Sequence, residues 1–157
     1  MQKNLIRCVL EMFPYGLFVV GSMTENSPVA IIANWATQVS FRPPLVALAI
    51  EEDSKMRRSI EQSGFFSINL LPAGATETAR KFARSSSQQS REEPKLILAE
   101  SGIPFVEEAV GSIGCRMVQT LTTGDHLTVV GEVVEARGGE EGGNVLTLKE
   151  TGWRYRG

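Results

Sequence analysis

The chain has 157 residues, with 16 Lys and Arg against 18 Asp and Glu, a formal charge of −2, one His and two Cys. A chain of this length buries roughly two-thirds of the surface that it exposes when unfolded, so a single domain over residues 1–157 needs neither disulfides nor a structural metal. The weak negative charge excludes a basic surface for nucleic acid or anionic membrane, and no apolar run reaches the ~18 residues of a membrane-spanning helix.

The sequence also lacks an export signal, a set of metal ligands and the common nucleotide-binding and catalytic motifs. The N-terminal segment is interrupted by charges and lacks the apolar core of an export signal, so we expect a cytoplasmic protein without a membrane partner. In that compartment Cys8 and Cys115 are predicted to be thiols, and a chain with a single His is predicted to hold no zinc. The sequence contains no Gly-x-Gly-x-x-Gly, Walker-type or Gly-x-Ser-x-Gly motif, which excludes the usual kinase and hydrolase sites.

Extended segments dominate the first third of the chain. Residues 17–22 and 29–33 are apolar runs on either side of a turn-rich segment, which predicts a β-hairpin. Polar residues then enter the extended segment 34–40. The uniformly apolar run 45–50 predicts an interior strand with both faces covered.

Two helices are predicted in the middle of the chain. The first begins at a cap formed by Asp53 or Ser54, carries Met56 and Ile60 on one face, and ends at Gly64.

A strand and the second helix follow. Residues 65–71 predict the strand and residues 76–84 the helix, and the inner face of that helix is expected to carry Ala79, Phe82 and Ala83. The polar residues 85–93 predict a mobile loop.

Strands return in the last third. Residues 112–121 and 127–136 predict two long strands joined by a turn, and residues 144–149 predict a last strand after a loose glycine-rich tip over residues 138–143. At least six strands, mostly joined by hairpins, with two helices between them, predict a mainly β fold with short helices. An antiparallel barrel fits this pattern better than a doubly wound parallel sheet.

The most unusual segment is residues 34–40, where polar side chains interrupt a strand. In an extended chain one side carries Asn34, Ala36, Gln38 and Ser40, and the other carries Trp35, Thr37 and Val39. Amides and hydroxyls next to apolar surface are what a flat heteroaromatic ring with carbonyl and N–H edges needs. An edge strand with ordinary outward polar residues would show the same pattern.

Three other groups are candidates for chemistry. Ser54 and Lys55 open a helix, where an anion can bind, although N-capping alone explains them. Residues 80–84 place three cations around Phe82, which core packing and the helix dipole also explain. In Gly124-Asp125-His126, the imidazole lies beside a carboxylate that can hold one tautomer, although most lone surface histidines are not catalytic.

In their order along the chain, these motifs resemble those of the flavin reductase-like, FMN-binding split-barrel family. The family's Asn-Ser-x-Thr-Ser-Val-Ser strand corresponds to residues 34–40, and its Pro-Pro-Leu-Val strand corresponds to residues 43–46. The other similarities are Asp53 with Lys55, residues 64–71, Lys81-Phe82-Ala83, and Gly124-Asp125-His126 followed by residues 130–133. Together they span about residues 15–153.

The resemblance implies a homodimer of six- or seven-stranded antiparallel split β-barrels that binds FMN, or else FAD, near the dimer interface. It implies that the isoalloxazine ring is contacted, largely through backbone groups, by Asn34, Trp35, Ala36, Thr37 and Gln38. The residues implied near the phosphate are Ser54 and Lys55. Those implied to enclose the cofactor are Phe82, Ala83 and Arg84. His126 is implied as the catalytic residue, near the face where a nicotinamide stacks.

The implied activity is that of an NAD(P)H-dependent flavin reductase. Hydride moves from nicotinamide C4 to flavin N5 when the rings stack at about 3 to 3.5 Å, so the protein chiefly orients the rings and excludes water. Electrons would pass to free flavin, a partner monooxygenase or oxygen. Two other functions stay open: a flavoredoxin-like, FMN-binding electron carrier reduced by a protein donor, and a barrel-shaped binding module without cofactor. Trp35 and Gln38 replace small hydroxyl residues of the family motif, so the ring contacts are expected to differ.

Overall fold

Most of the chain folds into antiparallel strands, as the alternation of its apolar residues predicts. A computed structural model describes residues 2–83, 95–139 and 143–154. The described elements are, in chain order, α1 (Gln2–Leu10), β1 (Phe18–Met23), β2 (Pro28–Ala33), β3 (Ala36–Phe41), β4 (Pro44–Glu51), α2 (Lys55–Ser63), β5 (Phe65–Leu70), α3 (Thr76–Ala83), β6 (Leu96–Leu98), β7 (Pro104–Val106), β8 (Gly111–Thr123), β9 (His126–Gly138) and α4 (Leu148–Thr151). Within these ranges no helix is long and apolar enough to cross a bilayer.

Seven strands form one antiparallel sheet in the order β2-β1-β5-β8-β9-β4-β3. Its two edge strands, β2 and β3, are consecutive in the chain and are joined only by Asn34 and Trp35. Because two linking residues span at most about 11 Å between the flanking Cα atoms, the sheet has to curl until its edges approach each other at this end. No ladder of hydrogen bonds joins these two described strands. The fold is therefore a seven-stranded split β-barrel, in agreement with the antiparallel barrel that the sequence predicts and with the six or seven strands that the resemblance implied.

The interior of the barrel holds the main apolar core. Along β4, the buried residues Val46, Leu48 and Ile50 alternate with partly exposed ones, as one face of a pleated strand requires. Met56 and Ile60 of α2 join the same core, so this helix closes one end of the barrel. The opposite end has no such helical plug among the described residues.

β4 lies between β3 and β9, so the predicted interior strand is confirmed, but its outer face is only partly covered within the chain. Leu45, Ala47 and Ala49, which face outward, are partly exposed in the chain. Two of these three side chains are single methyl groups, so they leave little apolar area in contact with water. This outer face of β4 borders the candidate site described below.

A second apolar core lies outside β1 and β2. Val19 belongs to it, whereas its neighbour Val20 belongs to the barrel interior. The predicted inward positions of Ala79 and Phe82 on α3 are confirmed. Ala83 was also expected to face inward but is exposed, because it is the last residue of α3, where the helix leaves this core.

The C-terminal segment differs from its prediction. In place of a strand over residues 144–149, Val145 and Thr147 form only isolated bridges. Thr147 then caps the short helix α4, and Gly152 ends that helix with a φ of 69°. A Thr side chain that accepts the N–H of a helix start competes with strand pairing. No element was predicted from the sequence at α1, β6 or β7. The loop predicted over residues 85–93 and part of the tip over residues 138–143 lie outside the described residues.

Candidate functional site

Three turns meet where the edges of the barrel approach each other. The Ala49 N–H donates to the Trp35 carbonyl at 2.9 Å, which joins the β2–β3 link to β4. The Glu52 N–H donates to the Asp125 carbonyl at 3.1 Å, which joins the β4–α2 turn to the β8–β9 turn. The structure thereby brings three regions that the sequence singled out, around Trp35, Ser54 and His126, to one end of the sheet.

The side chains of Trp35 and His126 are in contact. Their ring centroids lie 4.7 Å apart, with an angle of 46° between the ring planes. Leu127 and Val129 of β9 point into the barrel core, so His126 lies on the outer face of the sheet. We call Trp35 and His126 the aromatic pair.

Asp125 fixes the orientation of the histidine ring. The Nδ1 atom of His126 lies 2.7 Å from Oδ1 of Asp125, and this hydrogen bond, together with the charge of the imidazole, lowers the pKa of Asp125. An ionised carboxylate can only accept hydrogen bonds, so Nδ1 donates here. Nε2, which has no hydrogen bond among the described residues, is left to face a ligand.

The start of α2 lies next to this pair. Ser54 is its N-cap, and Ser54 Oγ accepts the Arg57 N–H at 3.1 Å, so the capping alternative is confirmed. Gly64 ends the helix with a φ of 75°, as predicted. The cap satisfies one of the N–H groups that a helix start leaves unpaired, and Lys55 is exposed beside the others. The same helix start can therefore still attract an anion.

β3 is one of the two edge strands of the sheet and, among the described strands, pairs with β4 alone. About half of the backbone N–H and C=O groups of an edge strand point away from the sheet. The Gln38 side chain donates from Nε2 to the Ser40 carbonyl on the same strand, at 3.2 Å. The rest of this edge offers in-plane donors and acceptors to a flat ligand, which is the arrangement that residues 34–40 predicted.

A cavity of about 430 Å³ opens beside this edge, at the barrel end opposite α2. Ala36, Thr37 and Gln38 line it, and so do apolar residues of β1, β4, β5, β8 and β9. Its volume lies within the range that small-molecule sites occupy. Sequence reasoning missed the wall opposite β3, which includes Phe18, Ile68 and Ile113, because nothing distinguishes these residues from ordinary core.

The remaining predicted residues lie apart from this cavity. Asn34 donates its side-chain amide to the Gly16 carbonyl at 3.0 Å, so it anchors the entrance to β1. Phe82 belongs to the second core with Leu17 and Leu146, and Ala83 is exposed at the end of α3. Arg84 lies outside the described residues. No group of His, Cys, Asp or Glu in the described ranges is arranged to hold a metal ion.

Comparisons with known proteins agree with this architecture. The family model for the flavin reductase like domain matches residues 10–155. An NADH-dependent FAD reductase of Streptomyces globisporus is 31% identical over 135 residues, which cover 83% of this chain and 74% of the relative. The reductase component of 4-hydroxyphenylacetate 3-monooxygenase from Thermus thermophilus is 31% identical over 140 residues, covering 89% of this chain and 88% of the relative.

A solved structure shows the same fold. The NADH:FAD oxidoreductase of Streptomyces globisporus, in complex with NAD and FAD fragments, superimposes with a TM-score of 0.82 at 28% identity. The match covers 99% of this chain and 93% of that one. The family model spans nearly the whole chain, and the split barrel with its polar edge strand is the architecture that the resemblance implied. This chain belongs to the flavin reductase-like family.

Proposed function

We propose that this protein is an NAD(P)H-dependent flavin reductase that uses bound FMN. One observation carries the proposal: the open edge of β3 runs from the cavity lined by Gln38 to the aromatic pair and the start of α2. From Gln38 to Trp35 the strand rises about 10 Å, at about 3.3 Å per residue. A tricyclic ring with a phosphorylated side chain fits such a track, with its ring along the backbone edge of β3 and its phosphate at the helix start.

The backbone groups of β3, the cavity wall and the start of α2 match the chemical groups of FMN. The outward backbone groups of β3 offer donors and acceptors to the polar edge of the ring, and the apolar cavity wall offers a surface for its face. Ser54 and Lys55 would hold the phosphate through the N–H groups at the start of α2 and the ammonium charge. FAD shares these groups with FMN and is the second flavin that the site could take.

The role of the chain is to bind and orient. When bound, the flavin supplies the redox chemistry, because its N5 accepts the hydride that leaves C4 of the reduced nicotinamide. His126, oriented by Asp125, presents Nε2 to the coenzyme and would hold the nicotinamide amide in place. The barrel wall excludes water from one side of the rings. No proton-transfer residue beyond His126 is required, in keeping with the single histidine of the chain.

The proposal also includes two protein partners, a second copy of this chain and an electron acceptor. The outer face of the sheet, which carries the aromatic pair, also has apolar side chains that are exposed or partly exposed, among them Leu121, 60% exposed, and Leu45. Surfaces of this kind mark interaction sites, so we propose a homodimer that covers the outer face of the sheet. Because one relative is named as the reductase component of a monooxygenase, we propose that the reduced flavin serves such a partner. The cytoplasmic location and the single domain over residues 1–157 stay predictions.

Anaerobic mixing tests the activity. Protein reconstituted with FMN should lose its yellow absorption within about a second of mixing with NADH or NADPH, since typical turnover numbers are about 1 to 10³ per second. A protein that binds FMN but stays yellow until a reduced protein donor is added would be an electron carrier. A protein that does not bind FMN would be a binding module without this cofactor.

The variant His126→Ala tests the assigned role of the histidine in the same assay. Loss of one hydrogen bond to the coenzyme should slow flavin reduction about tenfold. The dissociation constant of FMN should stay unchanged, because His126 is assigned to the coenzyme and not to the flavin. An unchanged reduction rate would remove His126 from the mechanism.

A further inference from the structure

The cavity at the barrel end opposite α2 leaves apolar side chains inside the barrel incompletely covered. Its lining includes Phe18, Ile68 and Ile113, which belong to the barrel core or pack against it. Phe18 and Ile113 are nevertheless only partly buried. Protein interiors are normally packed as densely as organic crystals, so an apolar space of about 430 Å³ indicates room for a ligand. A cavity of about 150 Å³ with this kind of lining holds benzene, so the barrel admits a substituted single ring.

The Gln38 side chain faces into this cavity. Gln38 pairs with Val46 across β3 and β4, and Val46 belongs to the barrel core, so both side chains lie on the inner face of the sheet. Within the described ranges, the Gln38 amide makes one hydrogen bond, from Nε2 to the Ser40 carbonyl. A primary amide has two N–H donors and an oxygen that accepts two bonds. Gln38 therefore keeps a donor and an acceptor for a molecule in the cavity.

The other polar residues of the described lining face out of the barrel. Thr37 pairs with Ala47 on the outer face of β4. Arg137, which carries the one charge of this lining, pairs with Ser112, and the Ser112 hydroxyl bonds to Asn69 on the outer side of the sheet. Directly paired residues share a face of the sheet, so the Arg137 side chain points away from the interior. An anion in the cavity would have no cation to neutralise it, and burying an unpaired charge is costly. The ligand has to be neutral.

We propose that the inner part of this cavity is a binding site for a neutral single-ring phenol, distinct from the flavin site. The ring lies among Phe18, Ile68 and Ile113, where the phenyl group of Phe18 offers an aromatic contact. The hydroxyl, which can both donate and accept, meets the Gln38 amide. The proposed flavin lies along the backbone edge of β3 and meets the cavity wall only beside Gln38. This inference therefore does not require the reductase activity.

Calorimetric titration of the FMN-free protein with phenol itself tests the site. At pH 7, where phenol is neutral, the chain should bind phenol with a dissociation constant of about 0.1 to 1 mM, the affinity expected of so small a ligand. Benzoate, which has the same ring and a negative charge, should bind at least about tenfold more weakly. Equal affinities for phenol and benzoate would contradict a neutral ligand.

Two substitutions test the position of the ligand. Ala136 pairs with Ile113 on the inner face, so Ala136→Leu fills the cavity and should weaken phenol binding at least about tenfold. The matched control, Ala73→Leu, changes an exposed residue outside the lining and should leave phenol binding intact. Gln38→Leu should weaken phenol binding about tenfold through the lost hydrogen bond, while toluene binds as it does to the wild-type protein.

Methyl NMR of the wild-type protein locates the ligand even if a variant does not fold. Phenol should shift the δ1-methyl signals of Ile68 and Ile113 and leave that of Ile6, on the exposed face of α1, in place. FMN-loaded protein should bind phenol within about twofold of the FMN-free affinity, because the two sites are not coupled.

Three results would overturn the inference: no phenol binding, a shift of Ile6 alone, or competition between phenol and FMN, which would assign the whole cavity to the flavin. A protein that binds phenol as described but does not oxidise NADH would lose the reductase function and keep this site.

Discussion

Single residues inside the barrel show how burial sets chemical reactivity. Cys115 lies in the barrel core, and burial away from water raises the pKa of its thiol from the ordinary 9.0 to about 12. Cys8 is exposed on α1. The thiolate is the reactive form of cysteine, so the two thiols of the chain should differ sharply in reactivity.

Thiol titration checks this difference. At pH 8 the folded protein should react with a thiol reagent rapidly at Cys8, and at Cys115 only after unfolding. The sign of the pH effect on stability follows from the raised pKa of Cys115. Its neutral thiol favours the folded state fully below about pH 9, and that contribution is lost as the pH rises towards 12.

Two variants test whether the pH dependence of stability comes from Cys115. The free energy of unfolding should fall less steeply between pH 9 and 11 in Cys115→Ala than in the wild-type protein. Cys8→Ser should keep the wild-type slope and lose the rapid reaction. Equal slopes in wild-type and Cys115→Ala would contradict the assigned pKa.

The hydrogen bonds of the buried Asn69 side chain could not be predicted from the sequence. Its amide donates to the Val19 carbonyl and to Ser67 Oγ, and its Oδ1 accepts bonds from the Val106 N–H and Ser112 Oγ. All four hydrogen-bonding positions of the side chain are thus satisfied in a buried site. The sequence showed Asn69 only as one polar residue in a strand, because its partners come from segments up to 50 residues away.

At the scale of elements, the start of α2 has two assigned tasks that one substitution can separate. Asp is as good an N-cap as Ser, so Ser54→Asp should leave the free energy of unfolding within about 0.5 kcal/mol of the wild-type value. The new carboxylate would lie beside the proposed phosphate, and repulsion between them should weaken FMN binding about tenfold or more. Fluorescence titration measures this affinity.

Riboflavin, which lacks the phosphate, is the internal control for this variant. Its affinity for Ser54→Asp should match its affinity for the wild-type protein. Thr147→Asp, at the cap of α4, makes the same charge change at another helix start and should leave FMN affinity intact. Equal losses of riboflavin and FMN binding would remove the phosphate from the start of α2.

Elements with strong local signals were predicted well, and those that depend on distant contacts were not. The hairpin of β1 and β2, the capped helix α2 and the long β8–β9 hairpin follow from apolar alternation and turn residues. The strand expected over residues 144–149 failed because a local cap at Thr147 competes with pairing. At the site, the sequence located the polar edge strand and Asp125-His126. It could not show that Trp35 reaches His126, which requires the order of three strands.

At the scale of the whole molecule, the proposed homodimer depends on the outer face of the sheet. Leu121 pairs with Thr128, two residues from His126, so it lies on the same face as the aromatic pair. Leu121→Glu would place an unpaired charge in the interface and should raise the dissociation constant of the dimer at least about tenfold. Light scattering after size exclusion measures the mass in solution.

Leu98 provides a matched control, because it is equally exposed, at 60%, but lies on β6 in the separate two-stranded sheet. Leu98→Glu should leave the mass of the particle unchanged. A wild-type protein with the mass of a single chain would reject the homodimer, and equal effects of the two substitutions would reject this face as the interface.

The connection of the edge strands by Asn34 and Trp35 alone has a consequence for motion. Between β2 and β3, which we call the seam, the barrel is closed by chain connectivity and side-chain packing. The hydrogen-bond ladders of the sheet end at these two strands. Widening the seam therefore breaks no ladder hydrogen bond, unlike the separation of any other neighbouring pair in the sheet. Thermal fluctuations of the barrel should therefore be largest between β2 and β3, with the two-residue link acting as the hinge. A small molecule that enters the barrel should do so between these two strands.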